Sequence, residues 1–342
     1  MRVIVTIQHP AHVHFFRNAI EELERGDHSV AVFAREKDIA TDLLEAYDIP
    51  HTVLAGRAES TLGLLAVQAR YELGLFRAAR RLRPDVMVAI GEPGVVHVAK
   101  LLGAKSVIFT DTEGARFRRR FVYPFADHVC MPECYRERIE GAVHYPGYHE
   151  LAYLHPDRFT PDPSVLETAG VDPNERFAVV RSVSWGAMHD RGDSGFRDVR
   201  DAVSRIEATG TRVLITSEAS LPVELESHRV RVPGEAIHHL LYYADAFVGE
   251  SATMATESAV LGTPAVFVST SDRGYTNELE ARYGLVFNFH DEARHEEALR
   301  KAVSILETSD RTEWQAKRER LLSEKMDTTD VILRETVGRG SS

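Results

Sequence analysis

The sequence lacks several features that would direct it to a membrane, to an oxidising compartment or to nucleic acid. Cys130 and Cys134 are its only cysteines, and two thiols cannot fill a structural zinc site, so we expect both to stay reduced. No apolar stretch approaches the ~18 residues that span a bilayer, and the N-terminus enters a strand without a basic leader. Lysine occurs only six times and the net charge is −11, a field that disfavours nucleic-acid binding. These absences predict a cytoplasmic protein without a nucleic-acid partner.

The remaining composition is that of an ordinary globular protein. Hydrophobic residues make up 44% of the 342-residue chain and charged residues 27%, and a chain of this length commonly forms two domains. Apolar strand-like segments alternate with helical segments in both halves, which favours parallel sheets built from βαβ units. The predicted strands include residues 2–7, 28–34, 86–90, 106–111, 177–183, 212–217, 246–250 and 265–269.

The alternation pauses over residues 141–175, which are rich in glycine and proline and which we interpret as the interdomain connection. The sequence therefore predicts two doubly wound, Rossmann-like α/β domains that face each other across a cleft. Their predicted bounds are 1–148 and 149–325, followed by a C-terminal tail over 326–342. Ligands are expected at the carboxyl ends of the strands.

Residues 249–268 carry the strongest functional signal, a strand followed by a small polar turn and a helix. Ser251 and Thr253 can cap this helix, whose free N–H groups and dipole favour an anion. Glu257 lies within the first two turns, where its carboxylate can accept hydrogen bonds from the hydroxyls of a ribose. A capped helix with an exposed glutamate would explain the same residues without a ligand.

This segment resembles the nucleotide-binding motif DSGG..EEA..LG.P of the UDP-N-acetylglucosamine 2-epimerases, without a gap. Ala252 and Thr253 replace the two glycines of that motif. The segment is also similar to its counterpart in the peptidoglycan N-acetylglucosaminyltransferases. The resemblance implies that the helix start binds a diphosphate and that Glu257 binds the ribose.

Residues 181–190 form a second candidate phosphate loop. They resemble the GGSQGA loop of the same transferases, with Ser182, Ser184 and Gly186 in register. Backbone N–H groups in such a loop can reach a phosphate. An ordinary strand-to-helix connection is the alternative.

Residues 8–23 place three histidines after the first strand and resemble the GH..P loop of GT-B glycosyltransferases. His12 falls on the histidine of that loop, and Phe15 replaces its proline. The resemblance implies that His12 is the catalytic base, and a nearby helix start would keep its imidazole neutral. We expect His14 to be a packed histidine rather than a metal ligand.

Two further segments supply candidate polar residues. Residues 91–117 resemble the first-domain segment of both families and contain Glu92 and Glu113, carboxylates that suit acid–base chemistry; solvated loop acids are the alternative. Related transferases place sugar-contacting residues in a segment similar to 271–287, which makes Tyr275 and Asn277 candidates here.

Over the whole chain, the sequence is most similar to an archaeal and bacterial family of unknown function in the GT-B superfamily. The motifs that carry this resemblance are HVHFFRN (12–18), PGYHELAYL (146–154) and YTNELEARYGL (275–285). It implies the fold, and it implies an activity only through the related families.

We expect a glycosyltransferase that uses a nucleotide diphosphate sugar, with UDP as the model donor, without a metal or another cofactor. A 2-epimerase-like enzyme and a non-catalytic nucleotide-sugar binder are the alternatives. The acceptor is an unknown glycan or lipid-linked sugar. Arginines and aromatics at 60–83 and 116–125 suggest at most a peripheral, salt-sensitive membrane contact.

Overall fold

The chain divides into two compact units, each built on its own parallel sheet. The first unit comprises Met1–Arg158 together with Lys325–Ser342, and the second comprises Phe159–Glu324. The computed structural model describes residues 1–36, 39–56, 61–114, 116–182, 199–217, 220–308 and 310–338.

The first unit alternates strands and helices along the chain. Its elements are β1 (Arg2–Ile7), α1 (Pro10–Arg25), β2 (Ser29–Arg35), α2 (Ala40–Ala46), β3 (His51–Ala55), α3 (Thr61–Leu82), β4 (Val86–Ile90), α4 (Pro93–Leu102), β5 (Lys105–Phe109), α5 (Arg116–Phe121), a 3₁₀ turn (Tyr123–Phe125), β6 (His128–Pro132), β7 (Val143–Tyr145) and α6 (Leu151–Leu154).

The seven strands pair in the order β3-β2-β1-β4-β5-β6-β7, and every pair is parallel. The chain moves outward from β1 to β3 and then returns to the other side of β1 as β4. This reversal makes the gap between β1 and β4 the switch point of the sheet, where doubly wound proteins bind ligands. Gln8 follows β1 and Gly91 follows β4 at this edge.

The first helix shows how the local sequence sets these elements. His9 caps α1 by accepting a hydrogen bond from the N–H of Ala11 at 3.2 Å, and Pro10 occupies the first turn. The helix therefore starts at Pro10. Its buried face includes Phe16 and Ile20, which belong to the apolar stripe expected of a helix that covers a sheet.

The second unit repeats the alternation. Its elements are α7 (Ser164–Ala169), β8 (Phe177–Ser182), α8 (Val199–Glu207), β9 (Arg212–Ser217), 3₁₀ turns (Val223–His228 and Gly234–Ala236), α9 (Ile237–Tyr243), β10 (Ala246–Gly249), α10 (Ala252–Leu261), β11 (Ala265–Val268), α11 (Gly274–Glu278), a π-helical turn (Leu279–Tyr283), β12 (Val286–Phe289), α12 (Arg294–Thr308) and α13 (Arg311–Glu324).

The five strands of this unit pair in parallel in the order β12-β11-β10-β8-β9. The chain moves from β8 outward to β9 and then returns to the other side of β8 as β10. The switch point of the second sheet therefore lies between β8 and β10. Arg181 and Gly249, which are paired in register, stand at the carboxyl ends of these two strands.

The segment predicted as an interdomain connection contributes two elements to the first unit. Val143–Tyr145 is the outer strand β7, and all four residues of α6 are buried. The first unit consequently extends to Arg158 rather than to residue 148. A three-residue strand is too short to show the alternation by which a strand is recognised.

The segment expected to be a C-terminal tail also belongs to the first unit. Thr328–Val337 forms the helix α14, which buries Val331 and Ile332. The carboxylate of Asp327 caps this helix by accepting a hydrogen bond from the N–H of Thr329 at 2.8 Å. The return of the chain to its first unit makes α14 a structural element.

Two further expectations concern absences. In the part of the chain that the structure describes, no helix has the length and apolarity needed to cross a bilayer. Within the same residues, no three or more His, Cys, Asp or Glu side chains converge as metal ligands would. Cys130 is buried and Cys134 half-buried, and neither forms a disulfide bond within the described residues.

Candidate functional site

The carboxyl end of β10 in the second unit approaches β8 so closely that only glycine fits there. A Cβ atom on Gly249 would lie 2.6 Å from the carbonyl oxygen of Arg181 and 2.8 Å from its Cβ. The backbone of the following turn therefore lies against the end of β8.

The N-terminus of α10 follows this turn, at the switch point of the second sheet. Ser251 caps the helix by accepting a hydrogen bond from the N–H of Met254 at 3.2 Å, as predicted from the sequence. Thr253 is half-buried in the first turn. The remaining N–H groups of the first turn and the helix dipole provide a positive electrostatic potential at this position.

Arg181 adds a positive charge beside this helix start. It is half-buried at the end of β8, and its Nη1 donates a hydrogen bond to the hydroxyl of Thr216 at 3.1 Å. Sequence reasoning missed this residue, although an arginine that ends an otherwise apolar strand is a visible signal. The side chain of Ser182, and all of Ser184 and Gly186, lie outside the described residues.

Glu257 is buried rather than exposed on its helix. It is 4% exposed, and its Oε1 lies 2.9 Å from Nε2 of His238, a side chain of α9 that is 1% exposed. A buried carboxylate needs such a partner because burial of an uncompensated charge is costly. The ribose-binding role implied for Glu257 stays a prediction.

The two residues predicted to contact a sugar already have structural surroundings. Tyr275 is 6% exposed in the first turn of α11. Asn277 is half-buried, and its amide donates a hydrogen bond to Oδ1 of Asp272 at 2.6 Å. Sugar contact by either residue stays a prediction.

In the first unit, the predicted base His12 lies in the first turn of α1 and is half-buried. Its Nδ1 accepts a hydrogen bond from the N–H of Gln8 at 3.4 Å. His14 is buried between Tyr47, whose hydroxyl lies 3.3 Å from its Nδ1, and Tyr153. His14 is thus a packed histidine, as expected.

Glu92 is the most perturbed acid at the switch point of the first sheet. It precedes α4, is 3% exposed, and accepts a hydrogen bond from the hydroxyl of Thr6. Burial, together with the charge of nearby Glu72, raises the pKa of this carboxyl to about 7 against the opposing effect of its hydrogen-bond donors. A carboxyl with such a pKa can both accept and release a proton near neutral pH.

Two other polar groups approach Glu92. The hydroxyl of Tyr71 and the side-chain amide of Gln8 lie beside its carboxyl. Among the described residues, the Glu92 Oε1, Tyr71 hydroxyl and Gln8 Nε2 atoms are buried without a well-formed hydrogen bond. Gln8 also contacts His12 through its N–H, so His12 and Glu92 lie on either side of the same residue.

Glu113, the other predicted catalytic acid, forms an ion pair within the first unit. Its side chain is 8% exposed, and its Oε1 accepts a hydrogen bond from the N–H of Arg136 and pairs with that residue's guanidinium at 3.4 Å. This ion pair ties the loop after β5 to the loop after β6. A catalytic role for Glu113 stays a prediction.

Sequence reasoning missed a buried pair at the carboxyl end of β5. Oδ2 of Asp111 lies 3.2 Å from Nδ1 of His149, which is 8% exposed. His149 lies in PGYHELAYL (146–154), a motif that carried the family resemblance without a role. The two residues are far apart in sequence, so only the fold brings them together.

The fold assigns the chain to a structural class. It is similar to the spinosyn forosaminyltransferase SpnP, with a TM-score of 0.66, 15% identity and coverage of 98% of this chain and 99% of that one. It is also similar to a UDP-GlcNAc 2-epimerase from Neisseria meningitidis bound to UDP-GlcNAc, with a TM-score of 0.70, 11% identity and coverage of 98% and 99%. These similarities and the two parallel sheets confirm the predicted GT-B fold.

Within this class, the chain belongs to the DUF354 family of proteins of unknown function, whose model matches residues 1–179. It is 22% identical over 280 residues to the uncharacterized protein MJ0665 of Methanocaldococcus jannaschii, which corresponds to 77% of this chain and 80% of that protein. The predicted membership of a family of unknown function related to GT-B enzymes is confirmed.

Proposed function

We propose that this protein is a glycosyltransferase that binds a nucleotide diphosphate sugar in its second unit and transfers the sugar to a hydroxyl acceptor. The observation that carries this proposal is the position of Ser251. It caps α10 at the switch point of the second sheet, where doubly wound sheets bind nucleotides. UDP is the nucleotide that the sequence resemblance implies.

The donor diphosphate binds at the start of α10 in this proposal. N–H groups of the first turn, the hydroxyl of Thr253 and the guanidinium of Arg181 neutralise its charge. These groups stabilise the diphosphate most strongly as it leaves with the electron pair of the broken sugar–oxygen bond, so no metal ion is required. Glu257, oriented by His238, accepts hydrogen bonds from the ribose.

The first unit supplies the acid–base groups. His12 takes the proton of the acceptor hydroxyl as that oxygen bonds to the sugar, which is the role the resemblance implies. Gln8 holds Nδ1 of His12, which directs Nε2 toward the acceptor. Glu92 polarises the acceptor through a second hydrogen bond.

One observation favours an epimerase-like reaction as the second candidate. A buried carboxyl such as Glu92, whose pKa is about 7, is suited to moving a proton to and from a sugar carbon near neutral pH. The ion pair of Glu113 with Arg136 removes the second free carboxylate that this chemistry would use. Transfer is therefore the stronger proposal.

A panel of nucleotide sugars and free nucleotide diphosphates tests the proposal. Thermal shift identifies the ligands, and mass spectrometry of the products then detects transfer. Proton NMR, which resolves epimers of equal mass, distinguishes epimerisation from binding without turnover. Stabilisation by a nucleotide diphosphate sugar, followed by sugar transfer to an added acceptor or to water, is the expected result. A converted sugar still attached to its nucleotide would indicate the epimerase instead, and a bound but unchanged donor would indicate a non-catalytic binder.

A further inference from the structure

The Asp111–His149 pair is rigidly held within the first unit. Oδ2 of Asp111 lies 3.2 Å from Nδ1 of His149, and Oδ1 accepts a hydrogen bond from the hydroxyl of Thr112 at 2.9 Å. The ring of His149 packs against Phe15 with a centroid separation of 4.4 Å. Both oxygens of the Asp111 carboxylate therefore contact polar side chains of the first unit.

The backbone around His149 is fixed by the segment that returns from the C-terminus. The hydroxyl of Thr328 donates to the carbonyl of Tyr148 at 2.6 Å, and the N–H of Met326 donates to the carbonyl of Pro146 at 2.8 Å. A Cβ atom on Gly147 would lie 2.9 Å from the Thr328 hydroxyl. The glycine of the PGYHE motif thus permits the contact that holds His149 in place.

The carboxylate of Asp111 beside Nδ1 defines the chemistry of the other ring nitrogen. A carboxylate only accepts, so Nδ1 of His149 carries the proton. Burial lowers the pKa of His149, and the charge of Arg118 lowers it further against the opposing effect of Asp111. The imidazole is consequently neutral near pH 7, and its Nε2 carries a lone pair.

This lone pair is buried and, within the described residues, has no hydrogen-bond donor. Unsatisfied buried acceptors are rare and costly, so the position calls for a donor from a ligand. A hydroxyl group is the donor that a neutral imidazole nitrogen accepts from without a change of charge.

Arg118 supplies a positive charge at the same edge of the sheet, close enough to His149 to lower the pKa of its imidazole. Its guanidinium lies over the backbone of Gly91, where a Cβ atom would come within 2.5 Å of Nε. Gly91 has a φ of 57° and ends β4 at the same edge of the sheet. Among the described residues, no carboxylate forms an ion pair with Arg118, and a planar guanidinium in this state suits a phosphate.

We propose that His149 and Arg118 form an acceptor site for a phosphorylated polyol or sugar, in which Nε2 of His149 accepts from a hydroxyl and Arg118 binds the phosphate. The inference rests on the proposed function only in describing the ligand as a sugar acceptor. Binding of the ligand at this site is measurable without a donor. It names the class of compound that receives the sugar.

The probes are glycerol 3-phosphate, which carries hydroxyls and a phosphate, and inorganic phosphate, which carries only the anion. Titrations monitor the melting temperature of wild type, Arg118→Ala and His149→Ala, each relative to its own unliganded form. Arg119→Ala, an exposed arginine of the same helix, is the matched control. His149→Gln is the second variant in case His149→Ala does not fold.

We expect glycerol 3-phosphate to bind wild type and Arg119→Ala equally and at least about tenfold more tightly than inorganic phosphate. Arg118→Ala loses binding of both probes, whereas His149→Ala or His149→Gln loses only the preference for glycerol 3-phosphate. Equal binding of the two probes by wild type, or unchanged binding by Arg118→Ala, would overturn the inference.

Vesicles of phosphatidylglycerol, compared with phosphatidylcholine, distinguish a lipid headgroup from a soluble acceptor. If the protein binds both phosphatidylglycerol and glycerol 3-phosphate, and both interactions depend on Arg118, the acceptor is a lipid. If it binds only glycerol 3-phosphate, the acceptor is soluble. A protein that binds glycerol 3-phosphate as described but no nucleotide sugar would refute the transferase proposal while supporting this site.

Discussion

Oε1 of Glu257 lies 2.9 Å from Nε2 of His238, and both side chains are almost completely buried. The pair joins α10, whose first turn is the proposed diphosphate site, to the preceding helix α9. Any change in the pair consequently affects the position of α10 as well as the chemistry of the carboxylate.

The first prediction concerns this pair. Glu257→Ala removes the ribose partner and should weaken nucleotide binding by ~1–3 kcal/mol. His238→Ala should also lower the stability of the unliganded protein, because it leaves a buried carboxylate without its partner. Isothermal titration with UDP and denaturant unfolding measure the two effects. Nucleotide affinity unchanged in Glu257→Ala would remove the basis for the ribose assignment.

The second prediction concerns the pH dependence of stability through Glu92. Its pKa is about 7 in the folded protein and close to 4.5 in the unfolded chain, so the unfolded chain loses this proton first as the pH rises. The folded state is therefore progressively disfavoured between pH 4.5 and 7, and by about 3 kcal/mol above pH 7.

Glu92→Gln keeps the shape of the protonated acid without its charge. We expect this variant to be more stable than wild type at pH 8 by up to about 3 kcal/mol, and equal to wild type near pH 4.5. Urea unfolding at both pH values measures the difference, with Glu133→Gln, an exposed acid of the same unit, as the control. If the free energies of unfolding of wild type and Glu92→Gln differ by the same amount at both pH values, this prediction is contradicted.

The third prediction separates the two histidines of α1. His12→Ala should lower the turnover of the identified donor by ~10²–10⁴ with little loss of donor binding, since a general base contributes about this much. His14→Ala should lower stability instead, because His14 packs between Tyr47 and Tyr153. Kinetics at saturating donor measure the turnover of both variants, and thermal melts measure their stability. Full activity of His12→Ala together with an inactive, folded His14→Ala would reverse the assignment.

The fourth prediction concerns the exposed aromatics of α5. Phe117 and Phe121 are 58% and 43% exposed, with ring centroids 5.0 Å apart, on a helix with four arginines. We expect weak co-sedimentation with anionic vesicles at low salt that disappears at high salt. Phe117→Ser should reduce it, while Val223→Ser, which changes an exposed valine of the second unit, should not. No co-sedimentation at low salt would exclude the lipid-linked acceptor.

The fold was predictable from the sequence wherever an element is long enough to show its periodicity. β1, β4 and β10 all lie close to their predicted bounds, and the cap of Ser251 follows from a local sequence rule. The strand β7 was missed because three residues are too few to show the alternation of apolar and polar side chains. α14 was missed although Asp327 and the following threonines are a recognisable helix start.

The candidate site was predictable only in part, since the missed residues depend on pairs that are distant in sequence. Ser251, Thr253 and Glu92 stand at the switch points where the alternation of strands and helices placed them. No sequence rule joins Asp111 to His149, or His238 to Glu257, because each pair forms between different elements. The burial of Glu257 could not be predicted from the sequence either, because it depends on the packing of α9 against α10.

A calorimetric titration of UDP-N-acetylglucosamine into three proteins tests whether the second unit binds a nucleotide diphosphate sugar. Wild type and Arg212→Ala, an arginine at the opposite, amino-terminal edge of the same sheet, should bind with equal affinity. Arg181→Ala should bind at least about tenfold more weakly, since charge-assisted hydrogen bonds to phosphate contribute ~1.5–3 kcal/mol. Equal affinity of Arg181→Ala and wild type, or no binding of UDP or its sugars to wild type, would contradict the account.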